Sequence, residues 1–226
     1  MCLPEILAVC KRFRLYLWID EAHSIGAIGK SGRGIHEHHG ICPRDVDVWM
    51  GTFTKAFGSV GGYIASSKDV IDLLRRKCTA NTSACSMSAA CVQQAIVALS
   101  MIEGKDGTNR GQEKMDRIKR NANYFRQGLK KLGYQTLGHD DSPVIPCLLF
   151  QPAKLCAFSR ACFLRKLAVV VVGSPATPLL KGRVRFCVSA EHTEEDLESA
   201  LRLLDLVGSE VMIKYNHSVY RQRLCR

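Results

Sequence analysis

The sequence predicts an α/β fold in two domains, on three observations. Short apolar runs at 15–19 and 46–50 read as strands and lead into residues that carry chemistry: Asp20-Glu21-Ala22-His23 in one case, a glycine-rich stretch around Lys55 in the other. In the second half of the chain, apolar runs of strand length alternate with helical patterns, as α/β domains require. Between the halves lies Gly104-Lys105-Asp106-Gly107-Thr108, polar, glycine-bearing and turn-prone.

In chain order, 3–13 places Leu3, Ile6, Leu7 and Cys10 on one face of an amphipathic helix. Residues 15–19 follow as a buried strand. The stretch 24–40 holds five glycines, at 26, 29, 32, 34 and 40, with polar residues between them. It reads as a loop with short helical turns, and Arg33 is its candidate anchor. Strands at 46–50 and 62–65 flank the lysine stretch. Residues 67–77 interleave Val70, Ile71, Leu73 and Leu74 with charges, a helical pattern. The small, hydroxylated segment 78–88 leads to a helix over 89–103.

Past the turn at 104–108, residues 112–132 form a long charged helix. Its stripe of Met115, Ile118, Ala122, Phe125 and Leu129 faces a core. Strands at 134–137, 144–150, 168–172 and 184–188, with helices at 154–166 and 193–207, complete a small α/β domain. The expected organisation is a first domain at 1–108, a second at 109–215 and a loose tail at 216–226.

Composition narrows the function classes. With 46% apolar and 23% charged residues the chain is globular. Its 32 basic and 21 acidic side chains give a net charge of +11, scattered along the chain, which suits solubility and could attract phosphates or an anionic surface. Eleven cysteines without a Cys-x-x-Cys pair, several inside apolar stretches (Cys91, Cys147, Cys162, Cys187), read as buried free thiols of a reducing compartment and not as a disulfide scaffold. His36, His38 and His39 with Glu37 read as a turn of solvated side chains without a further ligand at recognisable spacing, so no metal is expected. Residues 1–14 include Pro4, Glu5 and basic residues and do not read as a signal peptide. The longest apolar run, 167–172, is too short to span a bilayer.

The chemistry converges on Lys55. It sits in Gly51-Thr52-Phe53-Thr54-Lys55-Ala56-Phe57-Gly58-Ser59-Val60-Gly61-Gly62, where glycines allow close backbone approach and hydroxyls suit a phosphate. A lysine amine in such a place can condense with a carbonyl. Asp20 and His23 stand at the carboxyl end of another strand, where open α/β sheets bind ligands. A carboxylate, an imidazole and an amine brought together suit pyridoxal 5'-phosphate, with Asp20 keeping the ring nitrogen protonated and Lys55 holding the aldehyde. Asp20-Glu21-Ala22-His23 also spells the acidic box of helicases, and Gly29-Lys30-Ser31 the tail of a phosphate loop. The spacing excludes that reading: the glycine needed five positions before Gly29 is Ser24, and the loop follows the box instead of preceding it. No nucleic acid is expected.

At these residues the sequence resembles the α-oxoamine synthases, fold-type I pyridoxal-phosphate enzymes, and among them the lysine-bearing catalytic subunits of the serine palmitoyltransferases. The resemblance runs through Asp20-Glu21-Ala22-His23-Ser24-Ile25-Gly26, the stretch 51–58, Asp45-Val46-Asp47-Val48, Asp141-Ser142-Pro143-Val144, the run 169–178 and the run 183–193, in order from about residue 4 to 215. It implies a fold-type I transferase, here an incomplete large domain followed by the small C-terminal domain. Lys55 and His23 would be catalytic, and Asp20, His23, Thr52, Thr54 and Lys55 would hold the cofactor. Arg185, or Arg183 on the same strand face, would bind the amino-acid carboxylate by a bidentate fork, and Ser174-Pro175-Ala176-Thr177-Pro178 would cover the site.

The implied reaction is decarboxylative condensation of L-serine with palmitoyl-coenzyme A to 3-ketosphinganine. The implied setting is the cytosolic face of the endoplasmic reticulum membrane, with only peripheral membrane contact by this chain, in a heterodimer with a lysine-lacking subunit. A related synthase with another amino acid and acyl-coenzyme A, or a non-catalytic binding partner, are the alternatives. The sequence departs from the family in Ser83-Ala84-Cys85-Ser86, where Cys85 replaces a threonine. It also lacks an upstream region that carries a phosphate turn and a ring-stacking histidine, so little turnover is expected from these 226 residues alone.

Overall fold

The computed structural model describes residues 2–215 and divides into two compact units, Met1–Met115 and Asp116–Arg226. The division falls inside a long helix, beyond the turn at 104–108 where the sequence placed it. The reason is local packing. Gly111 lies so close to the Met101 carbonyl that a Cβ would overlap it, and Gly32 lies against Met115, so the helix's first turns belong with the first unit.

The first unit opens with α1 (Leu3–Phe13), where Pro4 occupies the first turn and Leu3 and Leu7 are buried. Ile6, expected on the buried face, is exposed. β1 (Trp18–Asp20) is shorter than the apolar run that announced it. Leu17 and Ile19 point inward, while Leu15, Trp18 and above all Tyr16 (91% exposed) do not. The run is thus an alternating strand and not a buried one.

α2 (Ile35–His39) follows the glycine-rich loop, and a single 3₁₀ turn at Pro43–Asp45 leads to β2 (Val48–Thr52). β2 pairs in parallel with β1, with Trp18 opposite Val48 and Asp20 opposite Met50, and antiparallel with β3 (Gly62–Ser66). α3 (Lys68–Lys77), α4 (Thr79–Ser83) and α5 (Ala89–Ile102) complete the unit. α4 is a helical turn within the small, hydroxylated segment 78–88. Leu3, Leu7, Leu17, Ile19, Ile35 and Val46 form the core under β1 and β2.

α6 (Arg110–Lys131) carries the expected stripe: Ala122, Phe125 and Leu129 are buried in the second unit. There β4 (Val144–Phe150) and β5 (Val170–Val172) flank β6 (Gly182–Cys187), all antiparallel, packed against α7 (Pro152–Leu164) and α8 (Glu194–Glu210). Thr193 starts α8 with a capping box shared with Asp196. The strand expected at 134–137 is reduced to one bridge, Thr136 to Cys147. Tyr134 instead turns inward and donates its hydroxyl to the Leu204 carbonyl (2.7 Å).

Of the four cysteines read as buried, Cys147 and Cys162 are, Cys91 is half-buried and Cys187 is exposed on β6. Tyr215, the last residue of the expected second domain, is fastened, its hydroxyl donating to the Leu149 carbonyl (3.1 Å) and its ring edge-on to Phe150. The expectation of a loose tail at 216–226 lies outside the described residues.

Candidate active site

Parallel pairing of β1 with β2 puts their carboxyl ends on the same side, so Asp20 and the 52–55 segment meet at one end of the first unit's sheet. The Lys55 loop is the connection from β2 to β3. Phe53 N–H donates to the Gly61 carbonyl (2.9 Å) and Ser59 N–H to the Phe53 carbonyl (2.8 Å), which closes the loop. Gly58 N–H donates to the Lys55 carbonyl (3.1 Å), which puts Lys55 at the exposed head of a tight turn. Gly58 and Gly61 have φ of 58° and 88°, left-handed values that favour glycine.

Two bonds tie the loop to α5: the Ser59 hydroxyl donates to the Cys91 carbonyl (2.6 Å) and the Gln94 amide to the Phe57 carbonyl (3.2 Å). Beneath it Phe57, 2% exposed, meets Phe53 edge-on at 5.5 Å, and Phe53 meets Tyr63 at the same distance. The Tyr63 ring covers Gly51, where any Cβ would overlap it.

Thr52 and Thr54 are brought together, their hydroxyls 2.8 Å apart, and the Thr52 hydroxyl also accepts from Thr54 N–H at 3.2 Å. Asp20 is exposed, with Oδ1 accepting from Ala22 N–H (2.8 Å), and His23 lies exposed in the turn that follows. An exposed amine at a turn, a carboxylate at the neighbouring strand end and paired hydroxyls form a donor set that fits pyridoxal phosphate. Cys85 lies exposed just after α4. Arg183 and Arg185 belong to the second unit, on one face of β6. Their environments differ: Arg183 Nε–H donates to the Lys181 carbonyl (3.2 Å), whereas Arg185 Nε is buried without a hydrogen-bond partner, as is the Thr177 hydroxyl.

Sequence reasoning missed what holds the 24–40 loop. Arg33 is exposed, and its guanidinium assists Glu37 by charge. Two glutamates accept the hydrogen bonds that fix the loop. Glu37 accepts from the Ser31 hydroxyl (2.6 Å) and from the N–H groups of Ser31 (3.0 Å) and Arg33 (3.1 Å). Glu21, only 3% exposed, accepts from Ile35 N–H (2.9 Å). A buried carboxylate beside a glycine-rich loop was the available signal, hidden because Glu21 was read as part of the Asp20–His23 motif. His36 packs edge-on against Trp49 at 5.5 Å and is not a solvated histidine. Among the described residues no group of three or more histidine, cysteine or acidic side chains could hold a metal.

Burial pushes the Glu21 carboxyl above its ordinary range, and the N–H groups of Ile35 and His36 only partly offset this. The groups facing it are His36, whose Nδ1 is 4.0 Å away and which burial holds below its usual value, and Tyr63, raised by burial and by Glu21. A raised carboxyl contributes stability that is complete below the ordinary carboxylate range and lost as pH rises through the folded value. Glu21→Gln removes this dependence. Its melting temperature relative to the native protein is therefore expected to climb from about pH 4.5 upward, checked by thermal melts across pH; a flat difference refutes it.

The chain belongs to the aminotransferase class I and II family, which matches residues 3–204, and its fold is that of the fold-type I transferases. The rice long chain base biosynthesis protein 2a is 56% identical over 213 residues, 94% of this chain and 44% of that protein. Serine palmitoyltransferase 2 of Dictyostelium discoideum is 53% identical over 218 residues, 96% and 44%. A serine palmitoyltransferase variant from S. paucimobilis, solved with a bound PLP–myriocin aldimine, superposes with a TM-score of 0.84 at 27% identity, covering 94% of this chain and 52% of that one. The chain thus spans less than half the length of the curated relatives it matches. Among the described residues no helix is long and apolar enough to cross a membrane.

Proposed function

We propose that the chain carries the lysine and the amino-acid recognition of a serine palmitoyltransferase, condensing L-serine with palmitoyl-coenzyme A to 3-ketosphinganine, with release of carbon dioxide and coenzyme A. The observation that carries this reading is Lys55 at the exposed head of its turn, next to the Thr52–Thr54 hydroxyl pair and at the same end of the sheet as Asp20. Bound there, pyridoxal 5'-phosphate supplies an electron sink for the serine α-carbon. Lys55 holds the cofactor and moves the α-proton. Asp20 would pair with the ring nitrogen and keep it protonated, His23 would orient the ring and substrate, and Thr52 and Thr54 would help hold the phosphate. The resemblance to the relatives supports placing the protein at the cytosolic face of the endoplasmic reticulum membrane, paired with a lysine-lacking subunit.

Arg185 binds the serine carboxylate. Its buried, unpartnered Nε favours it over Arg183, whose Nε is already engaged. Charge-assisted bonds to a carboxylate are worth about 1.5–3 kcal/mol, so Arg185→Ala is expected to raise the serine KM roughly ten- to a hundredfold, and Arg183→Ala by less than about threefold. Ketone formation from serine and palmitoyl-coenzyme A, measured on the chain joined to the upstream region that its relatives carry, is the assay. The reverse ranking assigns the carboxylate to Arg183, and no ketone with serine at any concentration refutes the function.

A further inference from the structure

We propose that Glu21 is a positioning residue: its buried carboxylate, fastened to the start of α2, fixes the end of β1 that carries Asp20 and His23. Three sets of bonds meet at this one residue. Its N–H donates to the Met50 carbonyl (2.7 Å), extending the β1–β2 pairing past the strand. Its carbonyl accepts from the N–H groups of Ser24 (2.9 Å) and Ile25 (3.0 Å) and from the Ser24 hydroxyl (3.3 Å), closing the turn that contains His23. Its carboxylate accepts from Ile35 N–H (2.9 Å) at the far side of the glycine-rich loop. The fit is tight: Gly34, with φ of 91°, lies so close that a Cβ would overlap the carboxylate.

Asp20 by contrast is exposed, and the bond its Oδ1 accepts from Ala22 N–H reaches only two residues along the chain. The ladder places the Asp20 backbone opposite Met50, but this local contact does nothing to fix the turn beyond it. Glycine-rich chain is costly to order, and catalytic groups misplaced by an ångström lose much of their effect. Glu21 removes that freedom from the inside. Glutamine presents an oxygen at the same reach and can keep the Ile35 bond, whereas alanine cannot.

What Asp20 and His23 contact rests on the functional reading above; the tether itself does not. The test is hydrogen–deuterium exchange over peptides covering 22–28, 34–40 and 48–66, with pyridoxal phosphate titrated by absorbance, on the native protein, Glu21→Ala and Glu21→Gln. Glu21→Ala is expected to speed exchange about tenfold or more in both 22–28 and 34–40, to leave 48–66 within about threefold of native, and to weaken pyridoxal phosphate binding about tenfold with a shifted absorbance maximum. Glu21→Gln is expected to stay within about threefold of native throughout.

Loosening of 34–40 alone, equal losses in both variants, or loosened 22–28 with unchanged cofactor binding overturns the proposal. If 48–66 also loses protection in Glu21→Ala, Gly34→Ala decides by the same criteria, because it crowds the carboxylate from the α2 side. A native protein that fails to bind pyridoxal phosphate refutes the functional reading, and the exchange pattern then judges the tether alone.

Discussion

Replacing Lys55 with alanine is expected to lower turnover by at least roughly a hundred- to ten-thousandfold, the range over which a positioned proton-transfer group acts. It also removes the amine that holds the cofactor, so the loss should lie at or beyond the upper end. Borohydride reduction of the native protein with pyridoxal phosphate, followed by peptide mapping, should place the label on Lys55, and Lys55→Ala should show none. The loop around it is fixed by Phe53, Ser59, Phe57 and Gln94, none of which the substitution touches, so the fold should survive. Label spread over many lysines, or undiminished turnover in Lys55→Ala, would refute the assignment.

The second large effect is on stability. Arg126 on α6 is 1% exposed, and its guanidinium donates to the carbonyls of Leu137 (2.7 Å), Ser142 (3.2 Å) and Val144 (3.4 Å). The 134–137 segment keeps two backbone bonds to β4, from Leu137 N–H to the Pro146 carbonyl (2.7 Å) and from Leu148 N–H to the Gln135 carbonyl (3.0 Å), and Arg126 serves the carbonyls beside that short pairing. Arg126→Met fills the volume but leaves the Leu137 and Ser142 carbonyls without this donor, while the Val144 carbonyl keeps the Ser142 hydroxyl (3.2 Å), at about 1–3 kcal/mol for each carbonyl that water cannot reach. A loss of about 2–4 kcal/mol is expected in denaturant unfolding of the second unit. Arg126→Lys should recover little, because an ammonium lacks the planar fork that spans several acceptors. A loss below about 1 kcal/mol in Arg126→Met would mean that the carbonyls find other partners.

Much of this was legible in the sequence where one physical signal dominated. The 3.6-residue stripe of α6 is carried by apolar residues against a charged background. The 15–19 run was misjudged because apolar composition does not say which face has a partner. The 134–137 segment was misjudged because Tyr134 has strand propensity but is held by a bond to Leu204, 70 residues away. At the candidate site, Asp20, His23 and Lys55 stood out as motif residues. The roles of Glu21 and Glu37 depend on which backbone N–H groups the fold brings to them. Arg183 and Arg185, equivalent by alternation, differ only in what the neighbouring chain offers each Nε.

The ring sequence Tyr63, Phe53, Phe57 under the lysine loop carries a consequence for solution conditions. The loop's contacts are rings packed edge-on or tilted, a glycine against a phenol and hydrogen bonds between neutral groups. Dissolved ions weaken attraction between charges at the surface, but they act little on dispersion or on neutral hydrogen bonds. The shape that presents Lys55 is therefore insensitive to ionic strength. Any salt dependence of the protein's chemistry then belongs to the charged molecules it meets and not to the seat of the lysine.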